Sequence, residues 1–299
     1  MPKSEFAYTV APAGHRLHAQ ARLGAVSLQV ADLARSVAYY ERVVGLRTLT
    51  ADPHRVTLGA HDDDTALVEL RHRSGAAPVP PRGRLGLYHF AILVPDRATL
   101  GRFIAHLATI AAYAGMADHL VSEAVYLTDP DGLGIEVYAE RPRDAWRVEN
   151  RALAMATNTL DVAALVRASS GAQWSGMPAG TRIGHVHLFV SDLEAAARFY
   201  HEGLGLDKVL LEFPGALFMS AGGYHHHLGT NTWAADAPRT REEDARLLEW
   251  SIELPTSRDV EETARALEAA GAQVTRTHGD AIAADPWGTI VRVTAKTLP

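Results

Sequence analysis

Two stretches of the chain place metal-ligating side chains on predicted strands. Residues 87–96 put His89 near the start of one strand, and residues 126–136 end a second strand at Glu136. Imidazole nitrogen and carboxylate oxygen are ligands that a borderline divalent metal accepts, and two of them leave room for a third ligand and for open positions. The sequence therefore predicts a metal site that includes His89 and Glu136.

These two residues belong to a repeated pattern of strand, helix and further strands. Residues 23–33 alternate apolar side chains with a period of two, as in a half-buried strand. Residues 183–193 repeat that pattern, so that Asp32 and Asp192 lie 160 residues apart. Weaker copies also occur, and we call the copies units one to four, beginning near residues 23, 86, 183 and 247.

Helix signals and joints support this division. Asp32 is a predicted N-cap, and Gly45 is a predicted stop because glycine readily takes the left-handed conformation found after helices. The predicted helices are residues 33–44, 97–113, 161–168, 195–200 and 259–270. We expect two domains of two units each, residues 21–140 and 181–296, separated by a linker at residues 141–180.

Composition excludes several classes of protein. The 299 residues are 47% hydrophobic and 21% charged, as in an ordinary globular protein. A net charge of -6 without a basic cluster argues against a nucleic acid partner, and the lack of cysteine excludes disulfides and thiolate ligands. No apolar run approaches the roughly 20 residues of a membrane span. Since the first twenty residues also lack the apolar core of a signal peptide, we expect a cytoplasmic protein.

The motifs resemble one superfamily. The segments Val-Ala-Asp-Leu and Val-Ser-Asp-Leu, and the sequence Tyr-Leu-Thr-Asp-Pro-Asp-Gly-Leu-Gly-Ile-Glu at 126–136, are similar to the βαβββ modules of the vicinal oxygen chelate superfamily. Within it, residues 86–92 and 222–229 resemble bacterial extradiol ring-cleaving dioxygenases of the catechol type. The resemblance implies an α+β fold, in which four modules form the two half-barrel cups of the glyoxalase, bleomycin-resistance and extradiol dioxygenase fold.

The resemblance also implies which positions hold metal ligands, because in this family they lie on the first and last strands of a module. The first-strand positions of units one to four are Ala25, His89, His185 and Glu249, and the last-strand positions of units two and four are Glu136 and Arg292. Pairing unit one with two and three with four would leave neither half with three ligands. Pairing two with three brings His89, Glu136 and His185 together, and it leaves Glu249 and Arg292 as an ion pair in the other cup.

Two histidines and one carboxylate form the ligand set of non-haem iron(II) oxygenases. Iron(II) is therefore the expected metal, with Mn²⁺ or another divalent metal as the alternative.

Further residues are candidates for proton handling. His187 lies two residues after His185 and so on the same face of the strand. By the resemblance, Tyr126 donates to a substrate oxygen, and His119 is a companion whose spacing departs from the usual pattern. Residues 225–227 are three histidines that could supply an acid/base group, with His226 and His227 as candidates, although alternation allows only His226, or His225 with His227, to face the metal.

Structural interpretations remain open for the same residues. Each histidine could serve packing, residues 225–227 could form a polar loop, and Tyr126 could simply line the cup. Residues 129–132, Asp-Pro-Asp-Gly, are predicted to form a tight turn rather than a cation or phosphate site.

The expected function is cleavage of a catechol-like or hydroquinone-like ring by dioxygen, with the aromatic diphenol and dioxygen as the small-molecule partners. Two alternatives remain: a glyoxalase-like metal-dependent isomerase or lyase, and a non-catalytic small-molecule-binding protein of the same fold. No membrane partner is expected, and a homo-oligomer is left open.

Overall fold

The computed structural model describes residues 6–149, 152–210 and 213–296. Units one and two each form a strand, a helix and three further strands. Unit one consists of β1 (Arg22–Val30), α1 (Leu33–Tyr39, continued by a π-helical turn at Tyr40–Val44), β2 (Arg47–Ala51), β3 (Arg55–Gly59) and β4 (Ala66–His72). Unit two consists of β5 (Gly86–Leu93), α2 (Arg97–Thr109), β6 (Gly115–Asp118), β7 (Ser122–Thr128) and β8 (Gly134–Glu140).

The second half of the chain repeats this order after a connecting segment. That segment contains a 3₁₀ turn (Arg143–Ala145), β9 (Val148–Glu149), β10 (Ala152–Leu153) and α3 (Val162–Ala168). Unit three consists of β11 (Arg182–Phe189), α4 (Leu193–Ala196, continued by a π-helical turn at Ala197–Gly203), β12 (Asp207–Leu210), β13 (Ala216–Ser220) and β14 (Leu228–Asn231). Unit four consists of β15 (Arg246–Leu254), α5 (Ser257–Ala269), β16 (Val274–Thr277), β17 (Asp280–Ala284) and β18 (Ile290–Ala295).

Two eight-stranded sheets combine units from opposite halves of the chain. One has the order β12-β13-β14-β11-β5-β8-β7-β6 and joins unit three to unit two; we call it the site cup. The other has the order β16-β17-β18-β15-β1-β4-β3-β2 and joins unit four to unit one; we call it the ion-pair cup. The predicted α+β fold and the predicted pairing of units are thus confirmed. The division into two domains at residues 21–140 and 181–296 stays a prediction. Each sheet contains strands from both of these segments.

Local signals explain where the helices begin and end. Asp32 caps α1 by accepting a hydrogen bond from the Arg35 amide, and Gly45 follows the helix with a left-handed φ of 88°. The predicted end of α2 at residue 113 is wrong, since the helix stops at Thr109 and Ala111 has a φ of 53°, which interrupts the helical path. The start of α5 is two residues earlier than predicted, because Thr256 forms the capping box.

Alternation along the strands separates the core from the cups. On β5, Phe90 and Ile92 are fully buried in the main hydrophobic core, whereas His89, the residue before Phe90, lies on the cup side of the sheet. On β18, Val291 and Val293 are buried in the core and Arg292 lies between them. Among the described residues, no helix is both long enough and apolar enough to cross a membrane.

The ion-pair cup contains the predicted contact between Glu249 and Arg292. Arg292 donates from Nε to Oε1 of Glu249 at 2.7 Å and from Nη2 to Oε2 at 2.8 Å, a two-point contact. Its Nη1 donates to Asp280 at 3.0 Å. An arginine that is held in this way occupies the position at which the site cup carries Glu136, and a cation there does not bind a metal.

Removing Glu249 and Arg292 singly and together is expected to show a coupling energy of about 1 kcal/mol, since the pair is bidentate but partly solvent-screened. Urea unfolding of the two single variants and the double variant measures it. The exposed pair Arg258–Glu262 on α5, with one hydrogen bond of 2.8 Å, is the control and should couple more weakly, because solvent screens both charges. A coupling for Glu249–Arg292 within error of zero would contradict the pairing.

Equivalent aspartate turns join neighbouring units. In the turn at residues 129–132, Asp129 accepts hydrogen bonds from the amides of Asp131 and Leu133 at 2.9 Å, and from the Tyr40 hydroxyl of unit one at 3.2 Å. Asp285 of unit four accepts from Tyr200 of unit three in the same way, at 2.8 Å. The predicted turn is confirmed. Burial raises the pKa of Asp129 to about 7, although these hydrogen bonds favour the anion.

This raised pKa has a defined effect on stability. Because the folded pKa of Asp129 lies above the ordinary value of 3.8, its contribution is present below about pH 4 and is lost as the pH rises to 7. Relative to Asp129→Asn, the wild-type free energy of unfolding should fall by up to about 4 kcal/mol over that range. Urea titrations at several pH values measure the difference. Asp96→Asn, at a helix cap whose backbone hydrogen bond lowers the pKa, should give the opposite sign. A difference that is constant with pH would refute the assignment.

Candidate metal centre

Three adjacent strands of the site cup bring the predicted ligands together. His89 lies on β5, which pairs with β8 next to Glu136 and with β11 next to His185. The three side chains are buried, at 5%, 2% and 2% exposure for His89, Glu136 and His185. Their donor atoms all lie within 4.8 Å of one another. In each histidine, Nε2 is 3.1 Å from Oε2 of Glu136.

The hydrogen bonding of these groups is incomplete. Both ring nitrogens of His89 and Nδ1 of His185 are buried without a hydrogen-bond partner, even though Nε2 of His89 approaches Glu136. Unpartnered buried polar atoms are costly in a folded protein, and a cation between the three side chains would satisfy the inward-facing nitrogens. The residues therefore fit a divalent metal.

The charge states also fit. Burial lowers the pKa of His89 and His185, despite the opposing charge of Glu136, so both imidazoles are neutral at neutral pH. Burial acts to raise the pKa of Glu136, but the two histidines beside it hold that pKa well below its ordinary range. A charged carboxylate and neutral imidazoles are the protonation states that bind a metal.

Tyr126 and His119 form a hydrogen-bonded pair at one side of the centre. Nδ1 of His119 lies 2.7 Å from the Ala156 carbonyl, which can only accept, so Nδ1 carries the proton. Nε2 of His119 then accepts from the Tyr126 hydroxyl at 2.6 Å. Burial, with a further effect of the Glu136 charge, raises the pKa of Tyr126 well above its usual value. Tyr126 is therefore a neutral donor, directed here at His119 rather than at the cavity centre.

His187 faces the cavity on the same strand as His185, and its hydrogen bonding fixes its tautomer. Asn231 accepts from the Trp233 amide at 3.0 Å through Oδ1, so its amide nitrogen faces Nε2 of His187 at 2.9 Å. Nε2 of His187 must therefore accept. Burial lowers the pKa of His187 well below its usual value. His187 is thus a neutral ring fixed beside His89, with ring centroids 5.1 Å apart.

The three consecutive histidines point in different directions. His226 lines the cavity and lies 4.1 Å from His185 between ring centroids. His225 lies behind it, with its Nδ1 2.8 Å from Nδ1 of His226. His227 is outside the cavity lining, and its Nδ1 accepts from the Ala221 amide at 3.1 Å. With its ring held by that backbone contact, His227 is less well placed than His226 for a role at the cavity, and its assignment as a catalytic candidate stays a prediction.

A cavity of about 360 Å³ opens beside the metal ligands, and several of the residues that line it were not predicted from the sequence. The unpredicted residues are mainly apolar side chains from β6, the linker and unit three. They are Met116, Met155, Phe213, Phe218 and Trp233. A linker residue such as Met155 gives no sequence signal of its own, and because Ala216–Ser220 is buried throughout, alternation does not distinguish Phe218 either.

Comparisons with known proteins agree with the geometry. A family model described as the Glyoxalase/Bleomycin resistance protein/Dioxygenase superfamily matches residues 22–137 and 182–291. A catechol-2,3-dioxygenase of Bacillus subtilis (strain 168) is 38% identical over 274 residues, which cover 90% of this chain and 95% of the relative.

Solved structures share the fold. A protein of Bacillus subtilis subsp. subtilis str. 168, described provisionally as a dioxygenase, has a TM-score of 0.65 at 14% identity, covering 94% of this chain and 86% of the other. Glyoxalase I from Zea mays has a TM-score of 0.53 at 18% identity, covering 92% of both chains. At these identities the two structures support the fold alone.

Proposed function

The chain belongs to the Glyoxalase/Bleomycin resistance protein/Dioxygenase superfamily, and from this membership we propose that it cleaves a catechol-like ring with dioxygen at an iron(II) centre. The predicted class of enzyme, an extradiol dioxygenase, is confirmed by the identity to the Bacillus subtilis catechol-2,3-dioxygenase. To this class of enzyme the proposal adds a diphenol as the substrate, dioxygen as the second substrate and iron as the metal. Mn²⁺ or another divalent metal is the alternative to iron.

The convergence of His89, Glu136 and His185 carries this proposal. Their donor atoms lie within 4.8 Å of one another, and among the described residues the group has three members. Three protein ligands on one side of a metal leave positions for the two oxygens of a diphenol and for dioxygen. The bound metal would supply Lewis acidity toward the diphenol oxygens and a path for electrons from the ring to dioxygen.

The surrounding residues would handle protons and orientation. Burial lowers the pKa of His226 well below its usual value, so the ring is neutral and can accept a proton from a diphenol hydroxyl. Since its Nδ1 lies against His225 at 2.8 Å, Nε2 is the nitrogen left for a ligand in the cavity. Tyr126 now donates its proton to Nε2 of His119, and to donate to a substrate oxygen its hydroxyl would turn from that partner toward the cavity. His187 would support the ring of His89.

The proposal is tested by anaerobic reconstitution with iron(II), followed by oxygen uptake with a panel of catechols and hydroquinones. We expect one iron per chain, oxygen uptake with at least one catechol, and a coloured ring-opened product. Oxygen uptake after reconstitution with manganese(II) shows whether iron or manganese supports the reaction. Stoichiometric metal without oxygen uptake for any diphenol would contradict the proposal, and it would favour the glyoxalase-like or the non-catalytic alternative.

Tyr126→Phe is expected to keep the metal but to lower turnover by about 10²–10³-fold, because a hydroxyl donor beside the metal is needed when charge develops in the transition state. Elemental analysis and oxygen consumption on the same preparation measure the two effects. Tyr113→Phe, at a side chain with 93% exposure, is the matched control and should keep both properties. An unchanged rate in Tyr126→Phe would show that Tyr126 only lines the cavity.

A further inference from the structure

Three side chains form a line that leads from the cavity toward the surface. Nδ1 of His226 lies 2.8 Å from Nδ1 of His225, and Nε2 of His225 lies 3.6 Å from Oε1 of Glu140. The two histidines belong to the connection between β13 and β14 of unit three, whereas Glu140 is the last residue of β8 in unit two. The line therefore depends on the same pairing of units that groups the proposed metal ligands.

Aromatic rings hold the middle residue of this line in place. His225 is 1% exposed, and its ring packs edge to face against Trp146 and Tyr138, with centroids 5.6 and 6.0 Å away. The ring of Tyr224 lies 4.2 Å from it. Because these rings surround it, His225 keeps one ring nitrogen toward His226 and the other toward Glu140.

Glu140 is an anion at the outer end of the line, where its side chain is 23% exposed. Burial acts to raise the pKa of Glu140, but His225 and Tyr224 beside it hold that pKa below its ordinary value. The carboxylate is therefore charged at neutral pH, and it can only accept hydrogen bonds.

The charge of Glu140 determines which nitrogen of His225 carries the proton. Nε2 of His225 and Oε1 of Glu140 are both buried, and neither has a hydrogen-bond partner within the described part of the chain. A bare Nε2 would place two buried acceptors against each other, which is costly, so Nε2 carries the proton. The 3.6 Å contact is longer than a hydrogen bond, and a shift of about 0.5 Å would bring it into range.

The proton on His225 in turn determines the tautomer of His226. Burial lowers the pKa of His225, although Glu140 opposes this effect, so the ring is neutral and its Nδ1 is bare. That bare Nδ1 must accept from Nδ1 of His226 across 2.8 Å. His226 then has a bare Nε2, which is the form that a base facing the cavity needs. In the reverse arrangement, His226 would present an N–H to the cavity.

We propose that Glu140 and His225 are positioning residues, which together fix the tautomer of His226 so that its bare Nε2 faces the substrate. The proposal rests on the dioxygenase function proposed above, and it adds two residues that do not line the cavity. A proton moves from a diphenol hydroxyl to Nε2 of His226, while the proton on Nδ1 stays in its hydrogen bond to His225. The Glu140 anion stabilises the imidazolium that results, without taking a proton itself.

The first test observes the tautomers and needs no turnover. Long-range proton–nitrogen NMR spectra of the metal-free full chain, labelled in its histidines, distinguish protonated from bare ring nitrogens. His225→Ala and His226→Ala identify the two sets of signals. In the wild type we expect protons on Nδ1 of His226 and on Nε2 of His225. Glu140→Gln should give mixed or reversed protonation, because an amide can donate as well as accept.

Glu69→Gln is the matched control for Glu140→Gln. Glu69 lies on β4 in the ion-pair cup, and its side chain is 19% exposed, close to the 23% of Glu140. The substitution removes one carboxylate charge of similar burial at a distance from the cavity. The control should therefore keep the wild-type tautomers and the wild-type rate.

The second test compares catechols whose hydroxyl groups differ in acidity. Glu140→Gln should keep the metal content and lower kcat for catechol by about 10–100-fold, the usual cost of losing a residue that orients another functional group. The loss should be smaller for chlorocatechol and larger for methylcatechol, because a more acidic hydroxyl depends less on the base. Glu140→Asp keeps the charge and should recover part of the rate.

A wild-type spectrum with the proton on Nε2 of His226 would overturn the proposal, whether or not the protein cleaves a diphenol. Wild-type tautomers in Glu140→Gln would also overturn it. An equal loss of rate for all three catechols would show that Glu140 acts only through local structure. If no catechol supports oxygen uptake, the dioxygenase function fails, and the spectra still decide whether Glu140 fixes the tautomer.

Discussion

Replacing Glu136 by alanine is expected to abolish metal binding and oxygen consumption together. Glu136 is the anionic member of the proposed ligand set, and its Oε2 lies 3.1 Å from Nε2 of both His89 and His185. Loss of a residue that only supports a ligand typically costs about 10–100-fold in metal affinity, so loss of the ligand itself should cost more. Metal content by elemental analysis after dialysis, together with oxygen uptake, measures both effects.

Glu249→Ala provides the matched control for this variant. Glu249 occupies, in unit four, the first-strand position that His89 has in unit two, but it pairs with Arg292 in the ion-pair cup. The control should therefore keep the full metal content and activity while losing some stability. Stoichiometric metal in Glu136→Ala would exclude the carboxylate as a ligand and would move the centre elsewhere.

His226→Ala should retain the metal and lose about 10²–10⁴-fold in turnover, the usual contribution of a general acid/base group. The ring lies 4.1 Å from that of His185 between centroids, and it reaches the cavity without being one of the three grouped donors. Rapid mixing of anaerobic enzyme and catechol with oxygen measures the rate of ring cleavage, and elemental analysis of the same preparation measures its metal content.

His227→Ala is the control from the same run of histidines. Its ring contacts the Ala221 amide and lies outside the cavity lining, so this variant should turn over nearly as the wild type does. Equal losses in His226→Ala and His227→Ala would indicate that the run acts through local structure. Full activity in His226→Ala would show that His226 does not transfer a proton in the reaction.

The grouping of His89, Glu136 and His185 could be predicted because the units repeat. His89 and His185 occupy equivalent strand positions, and a period of two determines the face on which each side chain lies. Because Arg292 cannot bind a metal and pairs with Glu249, the cup that contains them was predicted to lack a metal. The pairing of unit two with unit three followed from the distribution of ligand types, and the sheet order confirms it.

Other parts of the site depend on the path of the chain, which local patterns do not encode. Met155 and Ala156 belong to the linker, yet Met155 lines the cavity and Ala156 accepts a hydrogen bond from His119. The histidines at 225–227 precede β14 rather than lie within it, so strand alternation alone could not choose between His226 and its neighbours. The end of α2 depended on the left-handed conformation of Ala111, a residue type that does not signal it.

The joining of β5 and β8 to β11 imposes an order on assembly. Glu136 and His185 are 49 residues apart in the chain, so at translation rates of about 5–20 residues per second the second histidine is made roughly 2–10 s after the carboxylate. Until then, His89 and Glu136 offer only two ligands. At the proposed centre, capture of a metal by all three ligands would follow the docking of unit three on unit two, and the ion would then stabilise that docked state by mass action. Loading during refolding would consequently report the joining of the two halves of the chain.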